Sequence, residues 1–275
     1  MAASAASARR AADVLRTRIL SALVMAPPAL LAVWWGGGAF ALLVAVAVAI
    51  MCWEWETIVA RRFAWGGRVS ALGCVAAVLL TDMVPLAALV VVAMTAVAVL
   101  ALTPGTGRAR LWSAVGPLYA GLPAVALVWL RGDGVIGRET MIWLMLLVWA
   151  TDIGAYAAGR TIGGPKLLPR VSPKKTWAGL IGGMASAGLV GAAVALILGQ
   201  PHIAALALGS AALAVVAQAG DLLESWVKRR WDVKDSSTII PGHGGVLDRV
   251  DGLLAAALAV ALAALASGTA VLQWQ

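Results

Sequence analysis

Long apolar runs, separated by short polar or glycine-containing segments, divide most of the chain. A helix that crosses a bilayer needs about 20 predominantly apolar residues, within a range of about 17–25. The second and third runs are short, and Asp82 and Pro85 indicate a tight hairpin between the third and fourth. We predict nine transmembrane helices, with eight or ten as alternatives, near residues 19–36, 39–53, 69–81, 83–102, 112–130, 140–158, 177–199, 203–220 and 252–270.

Lys and Arg fall almost entirely on one side of this arrangement. Cytoplasmic loops of membrane proteins are enriched in these two residue types. If the N terminus lies inside the cell and nine spans alternate, 19 of the 21 basic residues fall on the inner side, and only Arg131 and Arg138 fall outside. We therefore expect an all-α, polytopic helical bundle with a cytoplasmic N terminus. Residues 1–18 would form a basic cytoplasmic tail, and residues 19–275 a single transmembrane domain.

Composition supports the membrane class. The chain is 62% hydrophobic and 12% charged, whereas soluble domains carry about 45–50% apolar and about 25% charged residues. Soluble, disordered and nucleic-acid-binding classes are therefore disfavoured despite the net charge of +8, and no nucleic-acid partner is expected. Cys52 and Cys74 lie in apolar runs without His or Cys at ligand spacing, which argues against a disulfide framework or a zinc site. The Arg- and Ser-rich tail also leaves an organellar transit peptide as an alternative.

Charged residues concentrate between the last two predicted spans. Residues 221–251 contain six acids and five bases, about a third of the 34 charged residues in the chain. If the eighth helix continues past Gly220, Asp221 and Lys228 lie on one face, and Asp248 and Asp251 share a face at the start of the ninth helix. Carboxylates from two helix ends can bind Mg²⁺ together with substrate phosphates. The alternative is that the acids favour a helix N terminus or pair with bases.

Residues 241–245 supply a glycine-rich turn that ends three residues before Asp248. Glycines allow positive φ and let backbone N–H groups approach an anion, so Gly244 and Gly245 are predicted to cradle a phosphate. His243 is a candidate acid, base or phosphate donor. A structural role is the alternative for this single histidine.

A second polar cluster surrounds the end of the predicted sixth span. Asp152 lies within that span, and an ionisable residue inside a membrane is a functional candidate by default. Lys174 and Lys175 follow in the next inner loop, where they could neutralise a triphosphate or a lipid phosphate. Lys166 and Arg170 in the same loop could do the same, or could bind acidic headgroups and fix the topology.

Residues 225–251 combine these features into one motif. Ser225 is followed by Lys228 and Arg229, then by Lys234 and Asp235, and the stretch ends in Pro-x-His-Gly-Gly-x-x-Asp-Arg-x-Asp at 241–251. This order is similar to the signature of the phosphatidate cytidylyltransferase (CDP-diacylglycerol synthase) family, and every specified position matches over 27 residues. Residues 152–160 and 172–177 also resemble the family, so the likeness is strong over 150–252 and generic before it. The family usually carries Glu where this chain has Ala178.

The resemblance implies a membrane enzyme whose catalytic signature is the 150–252 region. It would join CTP and phosphatidic acid into CDP-diacylglycerol and pyrophosphate with Mg²⁺, on the cytoplasmic face of the inner membrane and among membrane lipids. A second cation and a homodimer are left open. Predicted catalytic residues are Asp221, Asp248, Lys228, Arg229 and His243. Predicted substrate-binding residues are Ser172, Lys174, Lys175, Ser225, Lys234, Asp235, Gly244, Gly245 and Arg249. Predicted metal ligands are Asp221, Asp248, Asp251 and Asp152.

Two other functions share parts of this pattern. A CTP-dependent lipid kinase would use the same nucleotide and architecture but attack the γ-phosphorus. A transporter could use Asp152 and mobile glycines to line a pathway. The charged residues gather on one side of the predicted bundle rather than running through it, which favours the enzyme over the transporter.

Overall fold

A computed structural model describes residues 21, 23–104, 107–132 and 134–273. Nine α-helices lie within these residues and account for nearly all of the regular structure. They are α1 (Leu23–Trp35), α2 (Gly37–Ala60), α3 (Trp65–Leu80), α4 (Pro85–Leu102), α5 (Arg108–Arg131), α6 (Val135–Thr161), α7 (Trp177–Ile197), α8 (Ile203–Arg230) and α9 (Leu247–Ser267). The all-α, multi-pass membrane class is confirmed. The predicted tail over residues 1–18 lies outside the described residues.

Each helix coincides with one of the nine predicted apolar runs, but several extend further. α2 continues to Ala60, α6 to Thr161 and α8 to Arg230, past the polar residues that end each apolar run. Backbone hydrogen bonds satisfy a helix in water as well as in lipid, so an apolar run marks the membrane segment and not the helix end. Seven helices are long and apolar enough to cross a membrane; α1 and α3 are shorter. The number of crossings and the orientation of the N terminus stay predictions.

Small residues bring α6, α7 and α8 into close contact. A Cβ atom at Gly182 of α7 would lie 2.8 Å from the carbonyl oxygen of Gly154 in α6. On the opposite side of α7, a Cβ atom at Gly191 would lie 2.6 Å from the carbonyl oxygen of Leu206 in α8. Without a hydrophobic driving force between helices in lipid, such close backbone approach provides much of the packing energy. The polar ends of α6, α7 and α8 are therefore held at fixed positions relative to one another.

The hydrophobic core lies between the two halves of the chain. α5 contacts α2, α3, α4, α6 and α9, and it is the most deeply buried of the long helices. Met51 and Trp55 of α2, Leu147 of α6 and Leu254 of α9 belong to one continuous buried cluster. α5 thus packs directly on α6 and α9 and connects the first helices to the part of the bundle that carries the motif.

A small β-hairpin connects α6 to α7, where the sequence predicted only a loop. Strand β1 (Lys166–Leu168) pairs antiparallel with strand β2 (Ser172–Thr176), so that Lys166 faces Thr176. Gly163 and Gly164 have φ of 69° and 92°, a conformation that lets the chain turn sharply after α6. The Thr176 side chain then accepts a hydrogen bond of 3.0 Å from the Gly179 N–H and caps α7. The hairpin is fixed to the start of α7.

Candidate active site

A cavity of about 440 Å³ lies where α6, the hairpin, α7 and α8 meet. Both polar clusters found in the sequence contribute to its wall. α6 supplies Asp152, Tyr156, Gly159 and Arg160; β2 supplies Lys174, Lys175 and Thr176; α8 supplies Gln218 and Asp221. Segments separated by about 70 residues therefore combine acids and bases in one cavity, and the predicted site residues Asp152, Lys174, Lys175 and Asp221 all line it.

An ion pair between Lys175 and Asp221 joins the hairpin to α8 inside this cavity. The Lys175 ammonium lies 2.7 Å from Asp221 Oδ2 and also donates to the carbonyl oxygen of Gln218 at 3.4 Å. The Ser225 hydroxyl donates to Asp221 Oδ1 at 3.3 Å, one turn further along α8. The side chains of Lys175 and Asp221 are 20% and 35% exposed, so solvent or a ligand can reach both charges.

A second ion-pair group is buried next to the cavity and joins α8 to α9. The Lys228 ammonium lies 2.8 Å from Glu224 Oε2 and also donates to Asp248 Oδ1. The exposed fractions of these side chains are 9% for Lys228, 3% for Glu224 and 6% for Asp248. Two carboxylates thus surround one ammonium. Lys228 was predicted to act on substrate; that role stays a prediction, and the observed contacts give it a structural one.

Asp248 also folds the connecting segment (residues 231–246) back onto α9. Its Oδ2 atom accepts hydrogen bonds from the Ser236 N–H at 2.9 Å, the Ser236 hydroxyl at 2.9 Å and the Gly245 N–H at 2.8 Å. Gly244 has φ of 87°, and a Cβ atom there would lie 2.6 Å from Asp248 Oδ2. A side chain at Gly244 would therefore be strained and would collide with the carboxylate.

The glycine-rich turn has its N–H groups already bonded in this conformation. The Gly244 N–H donates to the Ile240 carbonyl at 3.2 Å, and the Gly245 N–H donates to Asp248. The predicted phosphate cradle at Gly244 and Gly245 stays a prediction, and it requires the turn to change its hydrogen bonds. Within the described residues, the buried Nδ1 atom of His243 has no hydrogen-bond partner.

Several predicted residues lie around the turn or on its exposed side rather than in the cavity wall. Arg249 donates from Nε to the His243 carbonyl at 2.9 Å, and Arg229 donates to the Val233 carbonyl at 3.1 Å. Lys234 and Asp235 are exposed on the connecting segment, and Ser172 is half-buried at the start of β2. Their predicted roles stay predictions.

Asp251 lies where α8 and α9 cross. A Cβ atom at Gly220 would lie 2.8 Å from the Asp251 carbonyl oxygen, so the two backbones are in close contact at this point. The Asp251 carboxylate is an electrostatic neighbour of Asp221 and Glu224, and Asp152 is a neighbour of Asp221. The carboxylates of α6, α8 and α9 therefore gather at one end of the bundle.

The fit of these carboxylates to Mg²⁺ differs from residue to residue. No group of three or more His, Cys, Asp or Glu side chains within residues 21, 23–104, 107–132 and 134–273 could hold a metal ion by itself. Mg²⁺ usually needs only one or two carboxylates because water and substrate phosphates complete its shell. Asp221 and Asp152 line the cavity and fit this requirement. Asp248 fits less well, because Oδ2 accepts three donors and Oδ1 faces the Lys228 ammonium.

Glu54 of α2 is a buried residue that the sequence reasoning missed. Its side chain is fully buried and accepts hydrogen bonds from the N–H groups of Val246 and Leu247, each at 2.8 Å. It also accepts one of 2.6 Å from the Ser237 hydroxyl. An acid inside an apolar run is costly unless it has partners. The predicted second span ends at residue 53, so Glu54 fell outside it and the argument used for Asp152 did not select it.

Known proteins resemble this chain over most of its length. A sequence profile of the Cytidylyltransferase family matches residues 16–266. A Brucella suis protein called phosphatidate cytidylyltransferase is 42% identical over 251 residues, which cover 88% of this chain and 90% of that protein. A Pseudomonas aeruginosa protein of the same name is 38% identical over 256 residues, with 88% and 94% coverage. The resemblance inferred from residues 225–251 is therefore confirmed, and the chain belongs to the cytidylyltransferase family.

Proposed function

We propose that this protein transfers the cytidylyl group of CTP to phosphatidic acid, forming CDP-diacylglycerol and pyrophosphate. The observation that carries the proposal is the cavity in which Asp152 and Asp221 lie with Arg160, Lys174 and Lys175. Two polyanions must approach each other in this reaction, and only a site rich in cations makes their contact favourable. Membership of the cytidylyltransferase family and the names of the Brucella and Pseudomonas relatives support the same reaction.

The proposed reaction is one displacement at phosphorus. A phosphate oxygen of phosphatidic acid attacks the α-phosphorus of CTP, a new P–O bond forms, and the bond between the α-phosphorus and the bridging oxygen breaks to release pyrophosphate. Lys174, Lys175 and Arg160 bind phosphate oxygens and reduce the repulsion between the substrates. Asp221 and Asp152 would hold Mg²⁺, which would supply positive charge to the phosphates. Asp248 and Asp251 are the other metal-ligand candidates.

The surface near the cavity suits a lipid substrate. Ile153 and Trp177 follow the cavity residues Asp152 and Thr176 in sequence, and they are 70% and 51% exposed. Phosphatidic acid can place its phosphate in the cavity while its acyl chains stay in the bilayer beside these apolar side chains. The lipid therefore need not leave the membrane to react.

The cytoplasmic face is the proposed side of the reaction. Arg61, directly after α2, donates to the carbonyl oxygen of Trp231, directly after α8. The basic residues that follow α2 therefore lie at the same end of the bundle as the connecting segment. Because Lys and Arg mark the cytoplasmic side, this end faces the nucleotide pool. The proposed location is the bacterial inner membrane.

An assay of detergent-purified protein with phosphatidic acid and radiolabelled CTP tests the proposal. We expect label from the α-phosphate to enter the lipid when Mg²⁺ is present, and incorporation to stop when a chelator removes the divalent cations. Label entering from the γ-phosphate instead would identify a lipid kinase. Absence of any lipid product, with ion movement in liposomes, would identify a transporter.

A further inference from the structure

We infer that Glu54 is a positioning residue that holds the connecting segment in its active conformation. This role rests on the proposed cytidylyl transfer, because the segment carries the Ser236–Gly245 part of the family motif. Glu54 comes from the N-terminal half of the chain, which contains none of the predicted site residues. Its carboxylate nevertheless reaches residues that are 183 to 193 positions further along the sequence.

Glu54 accepts hydrogen bonds from backbone N–H groups at the N terminus of α9. The first N–H groups of a helix have no partners within the helix, and burial makes an unpaired N–H costly. Oε1 accepts from the Val246 N–H and Oε2 accepts from the Leu247 N–H, each at 2.8 Å. A negative charge at this position also interacts favourably with the helix dipole. Glu54 thus caps α9 from a different helix, and no side chain of α9's own N-cap residue does so.

Two carboxylates hold the connecting segment at neighbouring residues. Asp248 binds the N–H and hydroxyl of Ser236, whereas Glu54 binds the hydroxyl of Ser237, the next residue. Gly245 lies between the same two acids: a Cβ atom there would lie 2.2 Å from Glu54 Oε1, and its N–H donates to Asp248. The small residues at 236, 237 and 245 therefore allow both carboxylates to reach the backbone.

The effect of Glu54 reaches the cavity through a continuous set of contacts. Glu54 binds the Ser237 hydroxyl and the N–H groups at the start of α9. Asp248, in the first turn of α9, binds Ser236 and Lys228. Lys228 in turn binds Glu224 of α8. Glu224 lies one helical turn from Asp221, which lines the cavity. Loss of Glu54 releases the connecting segment and α9 without removing any group that touches substrate.

The test compares Glu54→Gln with Glu56→Gln. Glu56 is on the same helix and is 1% exposed, but it lies beside Gly66 and Gly67 of α3 and does not contact the connecting segment. Glutamine at position 54 places an amide N–H₂ against N–H and O–H donors, which repels them. We expect kcat of Glu54→Gln to fall about 10- to 100-fold, the range for hydrogen bonds to a charged group, with little change in KM for phosphatidic acid. Glu56→Gln should keep kcat within about threefold because its charge contacts no part of the site.

Limited trypsin digestion in detergent supplies a measurement independent of turnover. Lys234 lies on the connecting segment. Release of this segment should make trypsin cleavage after Lys234 about tenfold faster in Glu54→Gln than in wild type or Glu56→Gln. Equal cleavage rates in the two variants would overturn the inference, as would a wild-type kcat for Glu54→Gln. Inactive wild-type protein would instead refute the proposed cytidylyl transfer, while the digestion result would still report on Glu54.

Ser237→Ala keeps the test valid if Glu54→Gln fails to fold. This milder variant removes one hydrogen bond to Glu54 and should lower kcat about threefold to tenfold, with a matching increase in cleavage at Lys234. When Glu54→Gln and Ser237→Ala are combined, the Ser237→Ala change should lower kcat hardly any further, because the hydrogen-bond partner of Ser237 is already lost. Fully additive effects of the two substitutions would contradict the inference.

Discussion

Two groups of charged residues lie side by side at one end of the bundle, and they differ in what surrounds them. The cavity cluster (Asp152, Lys175 and Asp221) is partly exposed and has room for a ligand. The buried cluster (Glu54, Glu224, Lys228 and Asp248) is closed, and its carboxylates bind backbone N–H groups, hydroxyls and one ammonium. The same residue types thus serve two purposes: the first group can exchange partners, and the second holds helices and the connecting segment together.

Acids of the same family motif therefore lie in two different environments. Asp221 and Asp248 both belong to the 221–251 region, and sequence alone gave them the same role. Asp221 pairs with Lys175 at a solvent-accessible contact, whereas Asp248 accepts four hydrogen bonds from three residues. A substitution at Asp221 should therefore affect chemistry, and the same substitution at Asp248 should affect folding as well.

The largest effect on activity is expected for Asp221→Asn. Removing one strong electrostatic contact from a transition state costs about 10²–10³ in kcat, and this cavity carboxylate is a proposed metal ligand. The unfolding temperature in detergent should stay close to that of wild type, because exposed ion pairs contribute about 0–1 kcal/mol to stability. Turnover and thermal unfolding of the same preparation check the prediction. Near-normal turnover would remove Asp221 from the metal site.

Asp248→Asn is expected to lower stability as well as activity. Asparagine turns an N–H₂ group toward either Lys228 or the donors of Ser236 and Gly245, so part of the hydrogen bonding is lost. Bonds to a buried charged group contribute about 1.5–3 kcal/mol, and we expect the free energy of unfolding to fall by about 2–3 kcal/mol. Denaturant or thermal unfolding, compared with Asp221→Asn, measures the difference. Equal stability of the two variants would show that Asp248 does not hold the segment.

Sequence reasoning located the helices and four of the residues that line the cavity because both depend on local signals. Apolar runs of membrane length indicated each helix, and the spacing of Asp221, Ser225 and Lys228 along one helix face follows from helix geometry. The hairpin was missed because Ser172–Thr176 contains Pro and two Lys residues, and its strand conformation depends on pairing with β1. The contacts of Glu54 were missed because they join residues more than 180 positions apart, and no local pattern encodes that pairing.

Lys175→Met tests whether the cavity cluster exchanges partners. In the observed conformation Lys175 binds Asp221, and we expect its ammonium to turn to a CTP or phosphatidate phosphate once the substrates are present. Loss of that charge-assisted bond should raise KM for one substrate about tenfold, the lower end of the range for bonds to a charged group. Stability should hardly change, since the Asp221 carboxylate remains accessible to water. Steady-state kinetics with each substrate varied in turn identify the phosphate.

An unchanged KM for both substrates in Lys175→Met would contradict this exchange. A marked loss of stability would also contradict it, because the pair would then be a structural contact like that of Lys228 and Asp248. Arg160→Gln is not suitable as a control, since Arg160 also lines the cavity. Lys166 is better suited, because it lies on the same hairpin and is exposed away from the cavity wall.

The smallest effect is expected for Lys174→Gln, measured against Lys166→Gln. Both residues are exposed lysines of one hairpin, but only Lys174 lines the cavity. A charge about 4 Å from a phosphate in a water-like environment is worth about 1 kcal/mol, so Lys174→Gln should raise KM for one substrate about fivefold. The effect should shrink when salt rises above about 0.15 M, where the Debye length is about 8 Å. Lys166→Gln should change KM less than twofold at any salt concentration, because Lys166 does not line the cavity. Similar shifts in KM for both lysine variants would mean that the whole hairpin attracts anions. A base in the cavity wall would then act no differently from a base on the outer surface of the hairpin.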